Sequence, residues 1–209
     1  MSITRHPDDS TLMSYAAGSL PAALAVVAAA HVAVCPHCRD ELAMMDLVGG
    51  TLLGDLPGTA MHGPVPAVPE VEHTRPTAPS AAAASEVPAP LARLVGQDLD
   101  ALRWRWVSRG SWLRHVPFAG SGNLHLFKCA SNVMLPEHGH EGSELTLVLR
   151  GALSDSTGRY LPGDICDLDN SIEHAPLAGS DGCICVVAQD RPVRWRSLIV
   201  RLARPWHGM

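Results

Sequence analysis

Three residues near the N-terminus have the types and the spacing of metal ligands. The segment that begins at His31 reads His-x3-Cys-x2-Cys, with its thiols at Cys35 and Cys38. Residues four and then three apart share one face where a helix ends and the next begins, so these donor atoms can converge. Two thiolates and one imidazole suit tetrahedral Zn²⁺, which needs a fourth ligand to close a structural site. The spacing therefore predicts a zinc site with one ligand still to be assigned.

Two histidines are candidates for that fourth ligand. His6 is the better one, because it arrives from the N-terminal arm, and His37 is second, because its neighbours between the cysteines point it away. The alternative to a metal site is a pair of packed core cysteines beside a solvent-facing histidine. We favour the metal, because a helical region of fewer than sixty residues has a marginal core and needs a staple.

A second set of candidate ligands lies in the C-terminal half of the chain. His138 and His140 are followed by Glu144, and His174 comes eleven residues after Gly163. Alternate residues of a strand share a face, so the first two histidines can point inward together. Three imidazoles and one carboxylate suit Zn²⁺, Fe²⁺, Mn²⁺ or Ni²⁺. The alternative is a surface cluster of histidines in an ordinary sandwich.

Short helices are predicted to position the first set of ligands. Capping residues, prolines suited to a first helical turn and terminal glycines mark where these helices begin and end. They are expected to run from Asp8 or Asp9 to Gly18, from Ser19-Leu20-Pro21 to about Val34, and from Pro36 to Gly49-Gly50.

Short strands are predicted to position the second set. Alternating or apolar runs recur between turn signals, among them Gly151 and the segment 179–182, and this pattern is typical of an antiparallel sandwich or barrel. The expected strands are Asn123–Cys129, Leu145–Leu149, Asp164–Leu168, Cys183–Val187 and Trp195–Leu202.

A stretch rich in proline and alanine separates these two regions. Residues 58–90 contain almost no large apolar side chain, so they cannot bury enough surface to offset their ordering entropy. We therefore expect a helical domain at 1–57, a linker at 58–90 and a barrel at 91–209. The chain carries a net charge of −5 over 209 residues. That mild charge argues against a broad nucleic-acid footprint.

Most of the acidity lies in the N-terminal region, where residues 1–57 carry six acidic and two basic side chains. Such a surface suits a basic protein partner. The N-terminus has no signal-peptide pattern, and the longest apolar run, Ala22–Val34, is shorter than the roughly twenty residues that span a bilayer. We expect a cytoplasmic protein with no membrane partner, in a compartment that keeps thiols reduced.

Cys183 and Cys185 lie two residues apart on a predicted strand, so their thiols are expected on the same side. One interpretation is an oxidant-sensing pair near the second metal site. The other is a pair of small core residues, which is the commoner role of buried cysteines in a strand. Cys129 and Cys166 are expected to be core residues.

The motifs together resemble a known family. His-x3-Cys-x2-Cys with a preceding His6 is similar to the zinc-binding anti-sigma domain. The run from His138 to Gly151, His-x-His-x3-Glu-x6-Gly, resembles the first motif of the cupin barrel. The second cupin motif is looser, because Pro162-Gly163 is compact and Ala178 stands where many cupins have asparagine. A zinc anti-sigma domain, a linker and a cupin in this order resemble the ChrR-type anti-sigma factors.

The resemblance implies an α + β two-domain protein, in which a small zinc-stapled helical anti-sigma domain precedes a jelly-roll cupin. It implies a partner, an extracytoplasmic-function sigma factor kept away from RNA polymerase, and a cupin that senses an oxidative signal. The linker would contribute to binding of the sigma factor. The implied ligands are His6, His31, Cys35 and Cys38 for the N-terminal Zn²⁺, and His138, His140, Glu144 and His174 for a divalent cupin metal, expected to be Zn²⁺.

A rival interpretation is a metalloenzyme of the cupin dioxygenase or isomerase type that carries a helical interaction domain. Its metal would act as a Lewis acid or bind oxygen. The sequence argues against this alternative, because no acid–base pair is evident near the motif. We expect no enzymatic activity and no direct contact with nucleic acid.

Overall fold

The computed structural model describes residues 2–59, 63 and 85–195 of the chain. Most of the expected linker and the predicted strand beyond Trp195 lie outside the described residues, and the expected domain limits stay a prediction. A helical N-terminal region precedes a region of antiparallel strands. The helices are α1 (Asp9–Ala16), α2 (Ala22–Val34), α3 (Pro36–Gly54) and α4 (Ala89–Val95).

The strands of the described residues form two sheets. The larger has the order β1-β2-β3-β9-β5-β6, with β7 paired to β5, and the smaller has the order β10-β4-β8. The pairings between these strands are antiparallel, as the turn pattern predicts. The strands are β1 (Arg105–Ser108), β2 (Ser111–His115), β3 (Asn123–Cys129), β4 (His138–His140), β5 (Glu144–Asp155), β6 (Gly158–Tyr160), β7 (Ile165–Leu168), β8 (Glu173–His174), β9 (Leu177–Gln189) and β10 (Val193–Trp195).

Helix α3 is longer than the sequence indicates. The predicted end at Gly49-Gly50 is wrong, because the helix continues to Gly54. A glycine within a helix costs only about 1 kcal/mol relative to alanine, so two glycines do not by themselves end a helix. The Thr51 hydroxyl donates to the Leu47 carbonyl, 2.9 Å away, and the helix closes at Asp55 instead.

Two glycine-containing segments that the sequence predicts as turns lie inside long strands. Gly151 is part of β5, and the segment 179–182 is part of β9, so these predictions of chain reversals are wrong. Gly151 and Gly182 both have a φ of +78° and lie where the β5–β9 register shifts. A Cβ at Gly151 would collide with the carbonyl oxygen of Gly182. The glycines therefore permit a bulge and a close approach of two backbones.

Helix α2 shares a hydrophobic core with the strands. Leu24 and Val27 are fully buried in the cluster that contains Leu124 and Leu126 of β3. Helix α4, which the sequence did not indicate, adds Leu91 to that cluster. By contrast, the only buried side chain of α3 is Cys38. The end of α2 is consequently fixed against the barrel, whereas most of α3 lies exposed.

No single helix of the described residues is long and apolar enough to cross a membrane. Helices α2 and α3 reach that composition only as a pair, and the pair is bent by 113°.

Candidate metal centres

The first set of sequence-predicted ligands converges at the corner between α2 and α3. The donor atoms of His6, His31, Cys35 and Cys38 all lie within 4.8 Å of one another. His31 Nε2 is 3.2 Å from Cys38 Sγ, and His6 Nδ1 is 3.4 Å from the sulfur of each cysteine. A tetrahedral Zn²⁺ with ordinary bond lengths would hold such ligands about 3.5 Å apart. The arrangement thus fits a four-coordinate structural site.

Local sequence explains how this corner forms. Helix α2 ends at Val34, and Pro36 opens α3, where a proline lacks only an N–H that would be unpaired in any case. Cys35 is extended between the helices, with φ −100° and ψ 108°. His31 lies one turn before it and Cys38 lies in the first turn after it. His6 arrives from the arm that precedes α1.

His37, the second candidate for the fourth ligand, is not one of the four converging groups. It is exposed, and its ring packs edge-on against the His6 ring, with 4.6 Å between centroids. The structure therefore brings His6, and not His37, to the cysteines.

Burial sets the protonation of this cluster in the absence of a cation. It lowers the pKa of His31 to about 4, and it raises the pKa of Cys38, with a further contribution from Cys35, to about 12. The His31 Nδ1–H donates to the carbonyl oxygen of Gly163, 2.8 Å away. The Nε2 lone pair is thereby left facing the cysteines, as a metal ligand requires.

The second set of predicted ligands converges within the barrel. His138 of β4 lies directly opposite His174 of β8, His140 ends β4, and Glu144 begins β5. The Nε2 atom of His174 is 3.1 Å from Nε2 of His138 and 3.3 Å from Nε2 of His140. One donor atom from each of these residues and from Glu144 lies within 4.8 Å of the others.

The hydrogen bonds of two of these rings indicate a cation between them. His138 Nδ1–H donates to the Pro136 carbonyl at 2.9 Å, and His174 Nδ1–H donates to Asp155 Oδ2 at 2.7 Å. Both Nε2 atoms then carry lone pairs that face each other, which is unfavourable without a bound cation. Burial lowers the pKa of His138 to about 4, despite the opposing effect of Glu144, so that ring is neutral near pH 7 and free to bind a metal.

Sequence reasoning missed the residues that orient these ligands. Burial would raise the pKa of Asp155, but hydrogen bonds from His174 and Thr157 outweigh it and lower that pKa to about 2. Glu144 is held by the Thr146 hydroxyl at 3.1 Å and the Gln189 amide at 2.5 Å. Asp155 precedes His174 by nineteen residues in a separate strand, so no local spacing signals their contact.

A cavity of about 260 Å³ opens beside the barrel cluster. Cys183 and Cys185 both line it, on the same side of β9, as their spacing predicts. Cys129 and Cys166 also line it and belong to the same buried cluster. A hydrogen bond with Cys183, together with burial, raises the pKa of Cys185 well above its usual range. This thiol is therefore protonated at neutral pH and is a weak nucleophile in the resting protein.

The two clusters predict two bound metal ions for each chain. Replacing His140 by alanine is expected to lower the metal content from two ions to one, because it removes a ligand of the barrel cluster and leaves all four ligands of the other cluster in place. Elemental analysis of the purified full chain provides the measurement. His115→Ala is a control, since His115 is exposed and lies outside both clusters. Unchanged metal content in His140→Ala would contradict the assignment of the barrel ligands.

Comparisons with known proteins agree with this two-part structure. Residues 93–192 match the family described as the ChrR cupin-like domain. The chain is 38% identical over 212 residues, or 99% of each chain, to anti-sigma-E factor ChrR of Cereibacter sphaeroides. It also matches a chain in the crystal structure of Rhodobacter sphaeroides SigE in complex with the anti-sigma ChrR. That match has a TM-score of 0.75 and 35% identity, and covers 90% of this chain and 100% of the other. These findings confirm the predicted fold class, a helical region followed by a cupin.

Proposed function

The chain belongs to the family of ChrR-type anti-sigma factors, and we propose on that basis that it binds and inhibits an extracytoplasmic-function sigma factor. A relative of known structure was crystallised with SigE, and that match covers all of the aligned chain. Binding would occlude the surface through which the sigma factor contacts RNA polymerase. The expected compartment is the cytoplasm, where the polymerase works.

The exposed apolar surface of α3 is the observation that carries this proposal. We call this surface the α3 apolar face. Each of its side chains is between 58% and 70% exposed, whereas most large apolar side chains of a folded protein are buried. Large apolar side chains exposed over several turns of one helix mark a site of protein interaction. They are Met44, Leu47, Val48, Leu52 and Leu53 of α3, and Leu56 just beyond its end.

The charges around this face indicate the chemistry of its partner. Asp40, Glu41, Asp46 and Asp55 are all exposed on or beside α3. Arg39 is the only lysine or arginine of the helix, and it donates to the carbonyl oxygens of Val32 and Ala33. The surface therefore favours a partner with an apolar groove bordered by basic residues.

A metal ion bound by the N-terminal cluster would orient α3, and with it the α3 apolar face, relative to the barrel. The donor set, two thiolates and two imidazoles in a closed cluster, is the set that Zn²⁺ prefers. Bound there, the ion would supply a structural cross-link between the arm, α2 and α3. His31 and Cys35 join the end of α2 to the start of α3, and Cys38 lies in the first turn of α3. The direction in which α3 leaves the barrel would consequently depend on the metal.

The barrel cluster and its cavity suit a sensor. Three imidazoles and one carboxylate would hold a divalent metal, for which we propose Zn²⁺, beside the cavity that Cys183 and Cys185 line. An oxidative signal that reaches this cavity would modify the thiols or the metal ligands and change the packing of β9. Because β9 also packs against α2, such a change would reach the helical region.

The rival interpretation, a cupin metalloenzyme, is less well supported. The anti-sigma-E factor ChrR, which resembles this chain over its whole length, is a regulator of transcription by its name. Family membership therefore favours regulation over catalysis for this chain.

Transcription in a reconstituted system tests the proposal. RNA polymerase is programmed with the extracytoplasmic-function sigma factor encoded nearest to this chain, and the purified full chain is added in increasing amounts. We expect transcription to fall to background at about one chain per sigma factor. Polymerase carrying the housekeeping sigma factor is the control and should remain active. Undiminished transcription at a tenfold excess of the chain would contradict the proposed function.

A further inference from the structure

One turn of the barrel contacts the ligand His31 and the arm that carries the ligand His6. This turn, residues 160–164, joins β6 to β7, and we call it the 160–164 turn. The carbonyl oxygen of Gly163 accepts the Nδ1–H of His31 at 2.8 Å. Asp164 Oδ1 accepts the backbone N–H of Thr4 at 2.7 Å and that of Arg5 at 3.0 Å. Since Arg5 immediately precedes His6, the turn holds the arm that delivers His6.

The carboxylate of Asp164 is a rigid part of this contact. Asp164 is 1% exposed, and its second oxygen accepts the N–H of Leu161 at 2.8 Å. Three backbone donors thus stabilise a buried charge, which costs several kcal/mol when left without partners. The arm is bonded a second time, because Ile165 N–H donates to the Arg5 carbonyl at 3.3 Å. Three hydrogen bonds therefore hold the arm to this part of the barrel, two accepted by Asp164 and one donated by Ile165.

Gly163 shapes the other half of the contact. Its φ is +93°, and a Cβ at this position would lie 2.9 Å from the side chain of Ile3. Glycine therefore allows the arm to pack directly on the turn while the carbonyl points at His31. That carbonyl fixes the tautomer of His31, because it accepts a hydrogen bond from Nδ1–H and leaves the unprotonated Nε2 as the ligand.

The β5–β6 hairpin, which leads into the 160–164 turn, reaches the barrel cluster through side-chain hydrogen bonds. His174 Nδ1–H donates to Asp155 Oδ2, and the Thr157 hydroxyl donates to Asp155 Oδ1 at 2.5 Å. The Tyr160 hydroxyl lies 2.8 Å from Thr157 Oγ1, to which it donates. A chain of direct bonds thus leads from a ligand of one cluster to the first residue of the turn that holds the other.

We propose that the 160–164 turn is a shared support of both metal centres, so that the barrel sets the metal affinity of the N-terminal cluster. Asp164 acts as a positioning residue: it touches no metal ligand side chain, and it acts through the backbone next to His6. The inference rests on the proposed N-terminal metal. It adds to the proposed function a route by which the state of the barrel reaches the helix that binds the sigma factor.

Cobalt substitution distinguishes the two centres in the full-length chain. Only the N-terminal cluster has cysteine ligands, so only it gives a thiolate-to-cobalt charge-transfer absorption when Co²⁺ is bound. Competition with a chelator, followed at that absorption, yields the affinity of this centre alone. Asp164→Ala is expected to lower the affinity about 10- to 100-fold, as the loss of a group that orients metal ligands usually does.

Asp169→Ala is the matched control, because the carboxylate of Asp169 accepts hydrogen bonds from the nearby Ser171 and its loss should leave the affinity unchanged. Asp164→Asn retains the shape and one acceptor, and it replaces the alanine variant if that variant does not fold. Wild-type affinity in a folded Asp164 variant would overturn the inference and leave the proposed metal intact. Absence of the absorption from the wild-type chain would instead overturn the proposed N-terminal metal itself.

The second half of the inference has its own test. His140→Ala, which disables the barrel cluster, should weaken the N-terminal affinity for Co²⁺ about fivefold or more, within the usual range of coupling between two sites. In a Thr157→Val background, the side-chain link from Asp155 to the Tyr160 hydroxyl is removed while the backbone bonds to Asp155 remain, and His140→Ala should then have a smaller effect on that affinity. If His140→Ala in the wild-type background leaves the Co²⁺ affinity of the N-terminal cluster unchanged, the proposed coupling is overturned.

Discussion

Replacing Cys35 by serine is expected to abolish both the N-terminal metal and the binding of a sigma factor. A serine hydroxyl is a poor ligand for Zn²⁺, and the other three groups cannot close a tetrahedral site. Structural zinc contributes about 10 kcal/mol or more to the fold of small domains that depend on it. Little in the described part of the chain would replace that contribution, since the apolar cluster around the site has three buried residues, Leu12, Cys35 and Cys38, and otherwise only partly buried ones.

The damage should be confined to α1 and α3. Helix α2 stays in place because Leu24 and Val27 remain buried in the core that it shares with the strands. Proteolysis should therefore cut α3 rapidly in the variant, while the barrel keeps its thermal transition. Binding is measured by co-purification with the sigma factor, and no complex is expected. Cys129→Ser is the control, because that buried thiol is no metal ligand. Retained binding by Cys35→Ser would contradict a structural role for the metal.

The double substitution Leu47→Glu and Leu52→Glu is expected to weaken sigma-factor binding at least 1,000-fold, or about 4 kcal/mol. Both side chains are more than 60% exposed, so glutamate at these positions costs the free chain little. In a complex, the same carboxylates would have to be buried without partners in an apolar groove. They would also extend an already acidic surface, which a partner with apolar walls cannot accommodate.

The change in affinity is measured by titration calorimetry with the purified sigma factor. Met134→Glu is the matched control, because Met134 is 63% exposed on the barrel and lies far from α3 in the sequence. That variant should bind like the wild type, and the double variant should keep its two metal ions and its thermal transition. Equal affinity in all three proteins would show that the α3 apolar face is not the docking surface.

Much of the candidate site could be predicted from the sequence, because its ligands are close together along the chain. His31, Cys35 and Cys38 occupy consecutive turns, and His138 and His140 alternate along one strand, so local geometry alone groups them. Strand Asn123–Cys129 was predicted with its observed bounds, since apolar residues and turn signals define it. Local patterns of this kind depend only on neighbouring residues.

The groups that support the ligands could not be predicted in the same way. Asp164 bonds to Arg5 across 159 residues, and nothing in the sequence near either residue indicates the contact. The sequence predicts turns at Gly151 and Gly182, because a glycine in a turn and a glycine in a bulge give the same sequence pattern. Only the position of the partner strand distinguishes them. The length of α3 differs from the prediction for a related reason, since Gly49-Gly50 resembles a stop signal in the sequence but continues the helix at small cost.

The central claim is that a metal-held helix of this chain docks on a sigma factor. Its most direct test is a titration of the full-length chain with the extracytoplasmic-function sigma factor encoded nearest to it, before and after the N-terminal metal is removed with a chelator. We expect a one-to-one complex with the metal-loaded chain and no measurable binding once that metal is lost. Binding of equal strength by the metal-free chain, or no complex with the loaded chain, would contradict it.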